Sequence, residues 1–584
     1  MGIVKKAVTV LGKNKIWSLI GLLILIILGS IAELLGVSTI LPFVNAIMDP
    51  GFIKNTAILN WISVEFGLNN NTMIIMIAMG LVVVFILKNV YLVFMNNQIY
   101  KFTYRNQRDL ACTMMKYYMG QPYIKLREKN SAELIRNISS DSNKCFVVIL
   151  NILQMSSELL VSTVLIVFLL ITDYVVTLGV VIMLSLSLLL ILRALKKRMV
   201  TMGKADREFE ASMNKCVLEA FGGVKEVKIT HSEKFFMNDY YYKSTMYAEL
   251  HRKCDIAGLI PKQAMEVVCI GSLMISLSIR IAMGADVTTF VPIVSVFAVA
   301  AFRLLPSVNK LSAYINSISF HLPSFNEICS SITEMREATA HMKEIEENRE
   351  KVAMADRFEM KNVSFHYPDA DKNVIDGIDL TLKKNESIAF IGPSGAGKTT
   401  LADIILGVLE PQNGEMLVDG KSINNNIYNW QKRLGYIPQS IFLFDDDIRK
   451  NVAFGIADKD IDDDKVWRAL EEAQLKSFVE ELPDGLNTRI GEHGARLSGG
   501  QRQRIGIARA LYYNPDVLVL DEATSALDNE TEKAVMESIE KLQGSKTMII
   551  IAHRLTTVEH CDNIYEVKGG KVIHKDKQEI FGHK

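Results

Sequence analysis

The chain has 584 residues, 49% of them hydrophobic, and its 65 Lys and Arg are balanced by 65 Asp and Glu. Zero net charge argues against a generally basic nucleic-acid binder and against a highly charged disordered chain. The seven cysteines have neither paired nor metal-ligand spacing, so we expect no disulfide framework and no zinc site. The length predicts several domains, and the positive mean hydropathy of +0.18 points to a membrane protein.

Six apolar runs are long enough to cross a bilayer, since a spanning helix needs about 20 largely apolar residues. They are 16–43, 72–94, 146–171, 175–192, 257–281 and 290–305. The first run is too long for the core of a signal peptide and lacks a convincing cleavage site. We therefore predict six transmembrane helices, all kept in the mature protein.

Basic residues set the orientation of these helices. Connections 96–144 and 193–255 carry nine and thirteen Lys or Arg, whereas connection 45–72 carries only Lys54. By the positive-inside rule both termini are cytoplasmic. The two basic connections have helical apolar spacing, so helices two to five are expected to continue into the cytoplasm as paired extensions.

The composition changes in the second half. Residues 334–349 are a charged, helix-favouring connector, and short β-type runs then alternate with helical segments. We predict a membrane domain at 1–330, a linker at 331–356 and one α/β domain at 357–584. Without a transit peptide and with short external loops, the chain suits a bacterial inner membrane, with the α/β domain in the cytoplasm.

A glycine-rich segment lies between a predicted strand and a predicted helix of the α/β domain. It consists of Gly392, Pro393, Ser394, Gly395, Ala396, Gly397, Lys398 and Thr399, and Thr400 follows it. In this context the glycines let backbone N–H groups surround phosphate oxygens at a helix N-terminus, which is a P-loop. Lys398 would contact the β- and γ-phosphates, and Thr399 would bind Mg²⁺.

Two carboxylates follow the predicted buried strand 517–520, about 120 residues after the glycine-rich segment. Asp521 can hold the Mg²⁺ shell, and Glu522 can polarise an attacking water. The pair would be weak support for a site by itself. Its position in the same domain as the P-loop makes it strong.

The segment Leu497-Ser498-Gly499-Gly500-Gln501 precedes a basic helix, and with it the chain resembles the ATP-binding-cassette (ABC) transporters. That resemblance implies a six-helix exporter-type membrane domain followed by a P-loop nucleotide-binding domain. It also implies that Tyr367 stacks on adenine, that Gln439 belongs to the γ-phosphate and Mg²⁺ site, and that His553 positions the γ-phosphate. Residues 525–528, ending in Asp528, resemble the D-loop, and 491–494 resemble the cross-communicating loop of exporters.

The family resemblance implies that the Ser498–Gln501 turn closes over ATP held by another cassette. One cassette per chain then requires a homodimer with two equivalent ATP sites. Glu522 would act as the base, while Lys398 and Mg²⁺ stabilise charge. Segments 121–130 and 220–233 resemble coupling helices that would transmit cassette closure to the membrane helices; the alternative for both is an ordinary solvated helix.

Three cations interrupt the apolar runs, namely Lys88, Lys262 and Arg303. A cation at the centre of a spanning helix costs about 2.5–3.5 kcal/mol and usually faces a cavity or a partner. The segments 31–43 and 303–309 resemble the PglK-type flippases of lipid-linked oligosaccharides, which implies that these cations bind a pyrophosphate. Lys88 and Lys262 stand where arginines occur in that subgroup and lack the bidentate fork. Alternatively, the three cations lie near helix ends, where they snorkel or pair with Glu158 or Glu266.

The expected function is ATP-driven flipping of a polyprenyl-pyrophosphate-linked oligosaccharide to the outer leaflet for protein glycosylation. External residues 49–71 have the apolar spacing of an amphipathic helix on the outer leaflet, as in the resembled flippases. The alternatives are a multidrug, lipid A or peptide exporter of the same fold, and an ATP-gated channel or sensor. No nucleic acid is expected as a partner.

Overall fold

The computed structural model describes residues 2–48, 51–172, 174–282, 287–347, 354–368, 370, 372–423, 427–521, 529–552 and 558–581. For part of 273–303 and for 339–347 only the backbone is described. The chain divides into two compact units. The first comprises 1–121 and 128–340, and the second comprises 122–127 and 341–584.

The first unit is helical throughout its described length. Its first helices are α1 Ile3–Leu11, α2 Ile16–Ser38, α3 Ile40–Met48, α4 Phe52–Asn55, α5 Ala57–Glu65 and α6 Asn70–Met119. After the short helix 123–127, they are α8 Ser131–Arg136, α9 Ser142–Thr172, α10 Tyr174–Gly222, α11 Val224–Ile229, α12 Glu233–Ala282 and α13 Val287–Glu347. The helix α7, Tyr123–Arg127, belongs to the second unit. A stretch of π-helix, Asn137–Asp141, joins α8 to α9.

The long helices reach far beyond a bilayer. α6 and α12 each have 50 residues, so at 1.5 Å per residue each is about 75 Å long, against a hydrocarbon core of about 30 Å. α10 and α12 pack against each other. These lengths agree with the predicted cytoplasmic extensions.

Four described helical segments are long and apolar enough to cross a membrane: Lys13–Gly36, Asn70–Met119, Ser131–Ile171 and Thr177–Gly222. They contain most or all of the first four predicted spans. The last two, 257–281 and 290–305, lie in α12 and α13, where many side chains fall outside the described part of the chain.

The first predicted span is not one continuous helix. α2 ends at Ser38 and α3 begins at Ile40. The hydroxyl of Thr39, between them, donates to the carbonyl oxygens of Leu35 (2.9 Å) and Gly36 (3.1 Å). The predicted external helix is present as α4 and α5. Its Leu59 and Ile62 pack on a small apolar cluster around Ile53 and Met73.

The second unit contains two sheets in its described residues. The strands are β1 Arg357–Phe365, β2 Ile375–Lys383, β3 Ser387–Ile391, β4 Asn413–Val418, β5 Lys421–Ser422, β6 Leu434–Ile437, β7 Val517–Asp521, β8 Thr547–Ile551, β9 Asn563–Lys568 and β10 Lys571–Lys575. One sheet has the antiparallel order β2-β1-β4-β5. The other has the order β10-β9-β3-β8-β7-β6, parallel except for β10.

Helices cover these sheets. They are α14 Lys398–Ile405, α15 Ile427–Gln431, α16 Ile448–Val452, α17 Asp463–Glu472, α18 Lys476–Glu480, α19 Gly499–Leu511, α20 Asn529–Glu540 and α21 Lys577–Phe581. The central strands β7 and β8 are buried at every residue, as a parallel sheet covered on both faces requires. Since the carboxyl ends of parallel strands meet at one edge, the loops after β3, β6 and β7 share that edge.

Candidate functional site

The glycine-rich loop joins the end of β3 to the start of α14, as predicted. Gly397, the residue before the helix, has φ +103°, and a Cβ there would lie 3.2 Å from Val374. Gly392 has φ +141°, and a Cβ there would meet the carbonyl oxygen of Val567 at 2.4 Å. Both positions therefore demand glycine. They let the loop pass close to β9 while its N–H groups gather at the helix N-terminus.

Lys398 lies at the mouth of this loop. Its side-chain ammonium donates hydrogen bonds to the carbonyl oxygens of Gly392 (2.9 Å) and Pro393 (3.1 Å), and the residue is buried. Thr399, which follows it, is exposed. The loop thus holds a cation beside helix N–H groups, which is an arrangement suited to a polyphosphate.

Tyr367 reaches the same helix from the loop after β1. Its hydroxyl is 3.1 Å from the hydroxyl of Thr400, and its ring packs edge-on against Phe365. The guanidinium of Arg127 lies 6.0 Å from the ring centre. A half-buried aromatic ring next to the phosphate loop is placed as the predicted adenine platform would be.

Asp521 is the last residue of β7. It lies at the sheet edge from which the glycine-rich loop leaves β3. It is buried, and burial together with the Asp521 charge raises the pKa of the nearby Asp403 to about 6, while Arg127 opposes the shift. Gln439 follows β6, which pairs with β7 in register Ile437 to Leu520. The strand order therefore brings the predicted Mg²⁺ ligands to one edge.

Three predicted residues of this site, Glu522, Asp528 and His553, lie outside the described residues. Their neighbours in sequence are described. β7 ends immediately before Glu522, and β8 ends at Ile551, two residues before His553. Because β7 and β8 pair in parallel with Asp521 opposite Ile551, both chain segments leave the sheet at the P-loop edge.

The Ser498–Gln501 turn forms a complete N-terminal cap of α19. The hydroxyl of Ser498 accepts from the N–H of Gln501 (3.2 Å), and the Gln501 side chain accepts from the N–H of Ser498 (2.8 Å). This capping box fixes the first turn of the helix. Ser498 and Gly499 are exposed, so the helix N-terminus, with its partial positive charge, is presented at the surface.

Comparison with known proteins identifies the family. A model of the ABC transporter family matches residues 375–525. An ATP-dependent lipid A-core flippase of Ralstonia nicotianae is 30% identical over 468 residues, which are 80% of this chain and 78% of that protein. The chain belongs to the ABC transporters.

Further similarities agree with this assignment. A solved bacterial Atm1-family ABC exporter with ATP bound matches this ABC transporter with a TM-score of 0.76 and 21% identity, over 97% of this chain and 96% of the other. A lipid A-core flippase of Francisella novicida is 44% identical over 221 residues, 38% of this chain and 37% of that protein. The chain is therefore an exporter-fold half-transporter, and its ATPase activity is coupled to translocation.

The membrane half of the transporter places Lys88 in an ion pair that the sequence did not predict. Its ammonium is 3.1 Å from a carboxylate oxygen of Glu33, and the side chains are only 10% and 4% exposed. The ammonium also lies 4.5 Å from the centre of the Phe85 ring. Glycine at position 36 makes room for it, since a Cβ there would be 3.0 Å from Cδ of Lys88.

Lys262 is not part of this pair. Lys262 is exposed on α12 and forms no ion pair with any residue that the structure describes. Arg303 lies in α13, and its side chain falls outside the described part. Glu158, an expected partner of these cations, is 2.7 Å from the ammonium of Lys310 and accepts a hydrogen bond of 2.7 Å from the hydroxyl of Ser307.

The two predicted coupling segments form short helices. α7 joins the second unit, where Ile124 packs against the apolar core beneath β1 and α14. α11 belongs to the first unit and has no buried residue in the single chain. Next to it, Phe221, Phe235 and Tyr241 are mostly exposed. Sequence reasoning missed the contact of Arg127 with Tyr367, which joins residues 240 positions apart.

Proposed function

We propose that two copies of this chain form an ATP-driven flippase in the bacterial inner membrane. Its cargo is a polyprenyl-pyrophosphate-linked oligosaccharide, moved from the inner to the outer leaflet for protein glycosylation. The membrane domain is 1–330, the linker 331–356 and the cytoplasmic nucleotide-binding domain 357–584. The relatives named lipid A-core flippases support a lipid cargo, and the segments 31–43 and 303–309 favour the polyprenyl type.

In the catalytic cycle, Lys398 and the N–H groups of the P-loop hold the β- and γ-phosphates of ATP, and Tyr367 supports the adenine. Thr399, Gln439 and Asp521 are the residues that would hold Mg²⁺. All three lie at or after the carboxyl ends of β3, β6 and β7, which meet at one edge of the parallel sheet. Mg²⁺ would offset the negative charge that develops on the phosphates.

Glu522 then takes a proton from the attacking water, and His553 orients the γ-phosphate. The partner chain supplies the Ser498-Gly499-Gly500-Gln501 turn, whose helix N-terminus faces the γ-phosphate. Asp528, in the D-loop, would connect the two ATP sites of the dimer. The exposed, capped turn in the single chain supports this arrangement, because a preformed cap needs no reorganisation when ATP closes the dimer.

The observation that carries the cargo proposal is the exposed cation Lys262, within the fifth predicted span. Lys262 has no acidic partner among the described residues, and a cargo phosphate would supply the missing negative charge. Arg303 would act with it. Lys88, already paired with Glu33, would share its charge with the cargo phosphate. The exposed side chains of Ile58, Trp61 and Val64 on α5 would contact the polyprenyl tail.

A second cargo has a specific observation in its favour, since the relative matched over 78% of its length is named a lipid A-core flippase. A lipid A-type glycolipid is also anionic and lipid-anchored. Reconstitution separates the two. We would load liposomes containing the purified dimer with either lipid and follow ATP-dependent appearance of the head group in the opposite leaflet, with Glu522→Gln as the blank.

The expected result is ATP-dependent movement of the polyprenyl-pyrophosphate oligosaccharide by the wild type alone. Neutralising Lys262 and Arg303 to Gln should slow it while leaving stimulation of the ATPase by an uncharged amphiphile intact. Movement of the lipid A-type lipid only would favour the second cargo. Unchanged movement in the neutralised variant would remove both cations from the cargo site.

A further inference from the structure

A groove runs between α10 and α12 in the first unit. It has a volume of about 730 Å³, and its lining has an apolar part and a cationic part. Apolar side chains line one part of it, including Leu195, Ile256 and Ile260. Four cations line the other part, namely Lys197, Arg198, Arg252 and Lys253. The volume is in the range of small-molecule sites.

The groove lies at the cytoplasmic boundary of the bilayer. The apolar run of α10 ends at residue 192, just before the groove residues of that helix, and the apolar run of α12 begins at residue 257, among them. The long basic connections place this end of both helices in the cytoplasm. The apolar part therefore lies at the depth of lipid tails and the cationic part at the depth of lipid phosphates.

The described residues neutralise the cations of the groove only in part. Lys197 and Arg198 are exposed and have no ion pair within the described residues. Arg252 holds Glu249 with two hydrogen bonds of 2.6 and 2.8 Å, and Lys253 is 3.6 Å from the same carboxylate. One acid for four cations leaves a net positive charge of three in the groove.

We propose that this groove binds the phosphate group of an anionic lipid of the cytoplasmic leaflet. The phosphate contacts Lys197 and Arg198, and one acyl chain lies along Ile256 and Ile260. Arginine and lysine at phosphate height are strong anion partners. The site goes beyond the proposed function, because it requires no particular cargo and would exist in an exporter of any substrate.

A lipid suits the groove better than a second copy of the chain does. An apolar helix face of another copy could cover the apolar part, but such a face carries no counter-charge for Lys197 and Arg198. A lipid supplies both a tail and a phosphate at the required depths. Charge complementarity therefore favours the lipid.

The test measures binding of dioctanoyl phosphatidic acid to the purified full-length dimer in a non-ionic detergent, by titration calorimetry. The groove variant is Lys197→Gln with Arg198→Gln. The matched control is Arg193→Gln with Lys196→Gln, which removes two exposed cations at the same height of α10 but outside the groove. Dioctanoyl phosphatidylcholine and inorganic phosphate are the comparison ligands, and light scattering reports the oligomeric state.

We expect the wild type and the control to bind phosphatidic acid alike and the groove variant to bind it at least tenfold more weakly. Phosphatidylcholine and inorganic phosphate should bind more weakly than phosphatidic acid to the wild type. Equal losses in the two variants would mean a general charge effect and would overturn the site. So would absent binding, tight binding of inorganic phosphate, or dissociation of the groove variant into monomers, which would make the groove an interface between copies.

Discussion

The ion pair of Glu33 with Lys88 joins the first two spanning helices and gives a sharp test of the membrane half. Removing one partner leaves the other charge buried, with at most 10% of its side chain exposed. Breaking a buried pair in this way costs about 3–5 kcal/mol. We therefore expect Lys88→Met and Glu33→Gln each to destabilise the transporter by an amount of that order.

The double variant should behave differently. With both charges gone, neither desolvation cost nor attraction is left, and replacement of a buried pair by neutral groups of similar size is often neutral or stabilising. The coupling free energy between the two positions should then be about 3 kcal/mol or more. A double-mutant cycle isolates this quantity from the separate effects of each substitution.

The assay is the half-life of the dimeric protein in detergent at a fixed elevated temperature, since large membrane proteins unfold irreversibly. Single variants should be lost much faster than the wild type, and the double variant should recover. Effects of the two single changes that simply add would refute the pair. If the double variant is stable yet its ATPase no longer responds to cargo lipid, Lys88 also contacts cargo.

Three further predictions concern other residues. Tyr367→Phe removes only the contact with Thr400 and should change the KM for ATP less than threefold, whereas Tyr367→Ala should raise it at least tenfold; equal effects would exclude stacking. Gly397→Ala puts a Cβ at φ +103° against Val374 and should abolish binding of a fluorescent ATP analogue in a protein that still forms dimers. Burial lowers the pKa of His321 to about 4, so stability should fall as the pH drops from about 6.5 towards 4, and His321→Gln should flatten this dependence of the heat-inactivation rate.

Local motifs made the backbone of the glycine-rich loop and of the α19 cap predictable. The P-loop requires glycine at positions where a side chain would collide or where φ is positive, and Gly392 and Gly397 meet both conditions in the structure. The cap of α19 is also local, because Ser498 and Gln501 are three residues apart. Such requirements involve residues close together in the sequence, so they can be recognised without knowing how the rest of the chain folds.

Contacts between distant helices could not be predicted in this way. Lys88 was recognised as a costly residue, but its partner Glu33 lies 55 positions earlier on another helix. Periodicity tells which residues share a helix face, and it leaves open the rotation and height at which two helices meet. The same holds for Glu158, whose contacts with Ser307 and Lys310 join residues 149 and 152 positions apart on different helices.

The ion pair also corrects the heights that the apolar runs alone imply. Lys88 is six residues from 94, the predicted cytoplasmic end of the second span, and Glu33 is 17 residues from 16, the predicted cytoplasmic end of the first. At 1.5 Å per residue these separations are about 9 and about 26 Å, yet the two charged groups are 3.1 Å apart. The ends at 16 and 94 therefore lie at different heights. The contacts between α2 and α6, rather than the ends of the apolar runs, set the depth at which Lys88 would meet a cargo phosphate.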